Sequence, residues 1–151
     1  MGNIDNLDKK ILEIISENAR IPFKDIAEVC GVSRAAIHQR VQRMIASGVI
    51  LGSNYRIKPE LLGYSTCAYI GLTIKHAPEY RDIIKCLEKI PEVVECHLTT
   101  GPYAMLLKVY ARDNAHLKII LNEQLQTITN VVSTETLISL EETLNKHVPI
   151  C

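Results

Sequence analysis

The apolar residues of this 151-residue chain follow one period up to about residue 48 and two periods after about residue 65. In the first part they fall only on helical spacing. In the second, stretches that alternate apolar with polar residues are separated by helical stretches. Backbone geometry sets these periods, about 3.6 residues for a helix and two for a strand, so a chain that changes its pattern changes its fold. Two domains are expected: a helical one over residues 1–57 and a mixed one over 66–151. "KPELLGYS" (58–65), with its Pro and Gly, reads as the linker.

In the mixed part, "TCAYIGLTIK" (66–75) puts Ala68, Ile70, Leu72 and Ile74 on one strand face. "PEYRDIIKCLEKI" (78–90) is an amphipathic helix through Tyr80, Ile83, Ile84 and Leu87. "VVECHLTT" (93–100) alternates through Val94, Cys96 and Leu98, and "YAMLLKVYA" follows Gly101-Pro102 as a third strand. "AHLKIILNEQLQTI" (115–128) is a second helix. "VVSTETLISLEETL" (131–144) is a fourth strand with Val132, Thr134, Thr136, Ile138 and Leu140 on one face. The order β-α-β-β-α-β predicts a ferredoxin-like α+β domain, a four-stranded antiparallel sheet with both helices on one side. The other side carries Tyr69, Thr73, His97, Thr99 and Tyr110, a half-apolar surface suited to a second copy of the chain.

The first part reads as three helices. Asp5 is placed to cap the first, with Asp8 three residues on as in a capping box. Leu7, Ile11, Ile14 and Ile15 line its apolar side. In "IPFKDIAEVCGVS", Pro22 stands near a helix start and Gly31 just past its end, with Phe23, Ile26, Ala27 and Cys30 facing inward. Ser33 then caps a third helix with an apolar stripe of Ile37, Val41, Met44 and Ile45. Ala35, Gln39, Gln42 and Arg43 point the other way, flanked by Arg34 and His38. Gly48 ends this helix, and "VILGSNYRI" reads as a strand or wing. A short helix, a glycine turn and a second helix with a polar, basic outer face form the helix-turn-helix pattern.

Charge agrees with this reading. The chain holds 17 basic and 17 acidic residues, yet from Ser33 to Lys58 there is no Asp or Glu. A helix in the major groove lies between two rows of phosphates, where a carboxylate is repelled. Gln39 and Gln42 are suited to base edges, and Arg34, Arg40, Arg43 and Arg56 to phosphates. The plainer alternative is a solvated helix with a chance charge bias.

The five Cys, at 30, 67, 86, 96 and 151, form no C-x-x-C pair and suit reduced, mostly buried thiols. Neither a signal peptide nor a membrane-length apolar run is visible, so a soluble, cytoplasmic protein is expected. No metal site or cofactor is indicated.

"LDKKILEIISENAR", "VSRAAIHQRVQRMIASGVI", "ELLGY", "TTGPYAMLLKV" and "STETLI", in that order, resemble the leucine-responsive regulator/AsnC family, the feast/famine transcriptional regulators. The likeness spans nearly the whole chain. "TTG-x-Y" and "QTI…STETLI" look more like the asparagine-responsive branch, since the leucine-responsive branch usually has an acidic residue where this chain has Pro102. The resemblance implies a winged helix-turn-helix domain that binds double-stranded DNA and regulates amino-acid metabolism genes. It implies homodimers assembling into tetramers or octamers. It also implies a free amino acid, asparagine among the candidates, as an allosteric effector held between dimers of the second domain. Carried onto this sequence, the DNA-binding residues are Ser33, Arg34, Ala35, His38, Gln39, Gln42, Arg43 and Arg56. The effector loop is Thr99, Thr100, Gly101 and Tyr103, with Gln126, Thr134, Glu135 and Thr136 facing it. Backbone N–H groups around Gly101 are suited to a carboxylate, Glu135 to an ammonium. The same residues also read as an ordinary tight turn and a strand rich in Thr for its β-propensity.

Three rivals stand beside this reading. One is an architectural DNA-binding protein needing no effector. Another is an enzyme like the haem-pathway decarboxylases that share the layout, against which the scattered His38, His76, His97, His116 and His147 speak. The third is an amino-acid sensor without DNA binding.

Overall fold

The computed structural model describes residues 4–150. The chain divides into two compact units, one of residues up to Arg56 together with those from Leu144 onward, the other Ile57–Thr143.

The first unit contains α1 (Asn6–Glu17), α2 (Phe23–Cys30) and α3 (Arg34–Ala46). α1 opens with a reciprocal capping box: the Asp8 N–H donates to Asp5 Oδ1 at 2.8 Å, and the Asp5 N–H to Asp8 Oδ2 at 3.2 Å. α2 ends at Gly31, whose φ of 68° is the left-handed turn that glycine adopts without strain. Two residues later the Ser33 hydroxyl accepts from the Ala36 N–H at 3.1 Å and starts α3. The turn between the helices is thus held at both ends. Ile11, Ile26, Ala27, Ile37, Val41 and Met44 form the core beneath it.

Two expectations change here. Ile45 is 46% exposed rather than part of the core stripe. At about 100° per residue it points roughly 80° away from Ile37, whereas Met44 points within about 20° of it. Residues 49–57, read as a strand or wing, form no strand, and Leu51, Tyr55 and Ile57 are exposed.

The second unit contains β1 (Thr66–Ile74), α4 (Tyr80–Leu87), β2 (Val93–Leu98), β3 (Met105–Ala111), α5 (Asn114–Ile119) and β4 (Val131–Ser139). α5 runs on as a π-helical turn, Ile120–Leu125, closed by the Gln126 N–H on the Leu121 carbonyl. The strands are ordered β2-β3-β1-β4 and every pair is antiparallel, the ferredoxin-like arrangement. Ala68, Ile70 and Leu72 of β1 and Met105, Leu107, Val109 and Ala111 of β3 form the buried side of the sheet. They pack with Ile83 and Leu87 of α4 and Leu117, Ile120 and Leu125 on and after α5.

The two edge strands depart from simple alternation. In β2 the register shifts between Val93 and Glu95, so Val93 pairs with Val109 and Val94 turns outward. In β4 the shift pairs Val131 with Ile74 and leaves Val132 exposed. Irregularities of this kind bend an edge strand and blunt its tendency to pair with other chains. β4 ends at Ser139, and Leu140, expected on its inner face, lies outside the strand and is 97% exposed. Cys30 and Cys67 are half-buried, but Cys86 and Cys96 are exposed, against the expectation of mostly buried thiols. Cys151 lies outside the described residues.

Candidate DNA-reading face and effector loop

The N-terminal half of α3 presents Arg34, Ala35, His38 and Gln39 to solvent, and Gln42 continues the face one turn on. Ser33, itself exposed, caps this helix end. The His38 ring meets Phe23 edge-on at 5.9 Å, which ties the face to the start of α2. Arg56 is exposed beyond α3. Next to it the Tyr55 ring lies 5.3 Å from the Arg20 guanidinium, a cation–π contact within this unit.

Arg40 and Arg43 stand differently from expectation. Arg40 Nη1 lies 2.6 Å from Asp5 Oδ2 and 2.8 Å from Asp8 Oδ1, and Arg43 Nη2 lies 2.5 Å from Asp8 Oδ2. Asp8 has no exposed surface at all. These two cations, expected at phosphates, are ion-paired to Asp5 and Asp8 at the start of α1. The physical reason is the buried carboxylate: unpaired, it would carry an uncompensated charge in the interior. The Arg40 hydrogen bond holds the Asp5 carboxyl below its ordinary value, and the same contact raises Arg40. Sequence reasoning saw Asp8 only as a capping residue. The missed signal is that Arg40 and Arg43 are three apart, so both lie on one side of α3.

In the second unit, Thr99, Thr100 and Gly101 are exposed on the loop between β2 and β3. The Thr99 N–H donates to the Ala104 carbonyl at 3.1 Å, the Thr99 hydroxyl donates to the Tyr103 carbonyl at 2.7 Å, and the Ala104 N–H reaches Leu72 at 3.0 Å. Gly101 has a φ of 115°, which favours glycine. The Tyr103 ring folds back over Gly71 of β1, where an added Cβ would stand 2.4 Å from the ring. Its phenol faces the Glu135 carboxylate, which pushes the phenol's pKa up. Gly71 and Glu135 are register partners, so the tyrosine spans the β1–β4 ladder on the sheet face away from the helices. Sequence reasoning missed Gly71, although a glycine inside a strand signals a close approach.

The remaining candidates gather elsewhere. Thr134 and Thr136 pair with Leu72 and Ile70 on the helix side of the sheet. Gln126, after the π-helical turn, donates from Nε2 to Thr134 Oγ1 at 3.3 Å. The eight residues therefore form two clusters. Thr99, Thr100, Gly101, Tyr103 and Glu135 belong to the loop and open face, and Gln126, Thr134 and Thr136 to the helix side.

The open face also carries Lys108 between the rings of Tyr69 and Tyr110, at 5.9 and 5.6 Å, with Glu95 at 3.6 Å. Burial raises the Cys67 thiol and the Tyr110 phenol beside it. Among the described residues no His, Cys, Asp and Glu side chains are grouped to hold a metal ion, and no helix is long and apolar enough to cross a membrane.

A helix-turn-helix unit with an acid-free outer face, followed by a ferredoxin-like unit with an open loop, defines a two-domain DNA-binding transcriptional regulator. Residues 4–50 match the winged helix-turn-helix DNA-binding family and residues 67–148 the Lrp/AsnC ligand binding domain, so the chain belongs to the Lrp/AsnC family. It is 42% identical to the regulatory protein AsnC of Haemophilus influenzae, covering 98% of this chain and 99% of that one. The structure of E. coli AsnC superposes with a TM-score of 0.90 at 38% identity, covering 97% and 98% of the two chains. A feast or famine regulatory protein from M. tuberculosis complexed with L-methionine is similar at a TM-score of 0.91 and 26% identity, over 99% and 100% of the chains. These relatives are regulators and not enzymes, which settles that choice among the rivals.

Proposed function

We propose that this regulator senses a free amino acid, asparagine foremost, through its second unit and reads the DNA major groove with the outer face of α3. The observation that carries the effector reading is the loop latched across the sheet: exposed backbone around Gly101 stands beside Tyr103 and the Glu135 carboxylate. That pairing of donors and acid suits the carboxylate and ammonium of an amino acid. The L-methionine complex of the M. tuberculosis relative supports the ligand class. Thr99, Thr100, Gly101 and Tyr103 contact the effector, with Glu135 on its ammonium and Gln126, Thr134 and Thr136 completing the site from the helix side.

On DNA, Arg34 and Arg56 meet phosphates, Ser33, Ala35 and His38 line the approach, and Gln39 and Gln42 read bases. Arg43 is withdrawn from the phosphate contacts because of its bond to Asp8. Dimers form through the open sheet faces and assemble to tetramers or octamers in the cytoplasm. The effector shifts that assembly and with it DNA affinity, a coupling of about 1–3 kcal/mol that runs both ways. Target genes of amino-acid metabolism fit the family.

The test is thermal melting with each of the twenty amino acids, followed by DNA binding with those that act. At about 100-fold over its Kd, an effector adds about 2.7 kcal/mol. A shift with one or a few amino acids, together with a change in DNA affinity, is the expected result. No shift with any would return the protein to an effector-independent architectural role.

A further inference from the structure

α3 carries three arginines, and the structure gives two of them acidic partners within the same unit. Arg40 bridges Asp5 and Asp8, and Arg43 binds Asp8. Two carboxylates and two guanidinium groups sum to zero charge. Among the described residues, Arg34 is the α3 arginine with no acidic side chain in ion-pair reach. The bonds are also hard to exchange. For Arg43 to reach a phosphate with its bonded nitrogen, it must leave a carboxylate that has no exposed surface. Abandoning such a group takes away one of the two cations that hold a buried carboxylate and leaves Arg40 alone on it, whereas a phosphate contact at the surface is screened by salt.

We infer that Asp8, with Asp5, masks the charge of the DNA-reading helix and so keeps the protein's hold on non-operator DNA weak. Non-specific binding comes almost wholly from cations that displace counterions from phosphates. A cation already paired with a carboxylate of its own chain has less charge to offer them, even where, like Arg43, it stays half-exposed. The acid-free run from Ser33 to Lys58 therefore presents less charge to DNA than its sequence suggests, and the masking acids come from the cap and first turn of α1. Discrimination then rests more on base contacts, which non-operator DNA cannot satisfy. Asp8 acts here through Arg40 and Arg43 as a positioning residue. The inference rests on α3 being the helix that reads DNA.

The experiment measures binding to a random-sequence duplex at a series of salt concentrations, for the full chain and three variants. Each phosphate contact contributes about 0.9 to the slope of log affinity against log salt. Arg43→Gln, which leaves Asp8 paired with Arg40, is expected to leave the slope unchanged. Asp8→Asn retains an acceptor for the Asp5 N–H but frees Arg43, and is expected to tighten binding and steepen the slope by about one unit. Arg34→Gln is expected to lower it by about one unit. A slope lowered by about one unit in Arg43→Gln would mean that Arg43 holds phosphate while paired, and would overturn the mask. So would an unchanged slope in an Asp8→Asn protein that circular dichroism shows to be folded. If Asp8→Asn does not fold, Arg43→Gln decides alone. Unchanged DNA binding in Arg34→Gln, with no salt-dependent binding in the parent, would overturn the α3 reading as well, and is told apart by that control.

Discussion

Replacing Gly71 by Ala tests whether the loop is held down by Tyr103. The new Cβ would lie 2.4, 2.6 and 2.7 Å from three carbons of the Tyr103 ring. Carbon atoms rest at about 3.5–4.0 Å, so the ring must move by about 1 Å or more. It cannot sink, because β1 backbone lies beneath it. It must lift from the sheet, away from Glu135, and strain the Thr99 hydrogen bonds to the Tyr103 and Ala104 carbonyls. Forced repacking of this kind costs about 1–3 kcal/mol. In a Tyr103→Ala background the obstacle is gone, and Ala should then be the better strand residue by about 0.5–1 kcal/mol. The sign of the Gly71→Ala effect thus reverses between the two backgrounds. Chemical denaturation of the four proteins measures the cycle, and effector titration reports whether the lifted loop still binds. An equal cost of Gly71→Ala with and without the tyrosine ring would refute the latch.

Three shorter tests address the first unit. Ser33→Ala removes the acceptor for the Ala36 N–H and should cost about 0.5–2 kcal/mol, read as a lower Tm and weaker DNA binding together. Gln39→Ala should narrow the gap between operator and random DNA. Equal losses on both would show that it does not read bases. Because Arg40 lowers the folded-state pKa of Asp5, the stabilisation is full above the ordinary carboxylate value and is lost as pH falls through the lowered one. Asp5→Asn, which remains a good cap, should therefore flatten the acid limb of stability while leaving neutral-pH helix content unchanged. A parallel acid limb in the variant would count against the pairing.

How much of this was legible in the sequence depends on whether the information is local. The Asp5–Asp8 capping box, the Gly31 turn, the Ser33 cap and the β-α-β-β-α-β order are written in neighbouring residues, and the structure repeats them. The edge strands slipped because a bulge moves the inward position by one residue, and in both "VV" pairs either valine satisfies an alternating pattern. The sequence showed which residues of α3 were basic, but not that Asp8, more than thirty residues earlier, would meet two of them. The Tyr103–Gly71 contact has the same character: a glycine inside a strand signals a close approach, but that Tyr103 makes it emerges only once β1 and β3 are adjacent.

The strand geometry also constrains how the effector site is completed. Thr134 and Glu135 are consecutive on β4, and consecutive strand residues point to opposite sides of the sheet. The register fixes this here: Thr134 lies with Leu72 on the helix side and Glu135 with Gly71 on the open side. One effector molecule cannot touch both through a flat sheet of the same chain. If Gln126 and Thr134 contribute to the same site as Tyr103 and Glu135, at least two copies must supply them. Mixing two variants then becomes informative. Tyr103→Ala spoils one cluster and Gln126→Ala the other, so each alone should bind effector weakly. Co-assembled from denaturant, they should regain a fraction of full-affinity sites, formed where an intact cluster of each kind meets. A mixture that binds no better than its components would show that the two clusters do not share a site across copies, and would remove either the helix-side residues or Tyr103 and Glu135 from it.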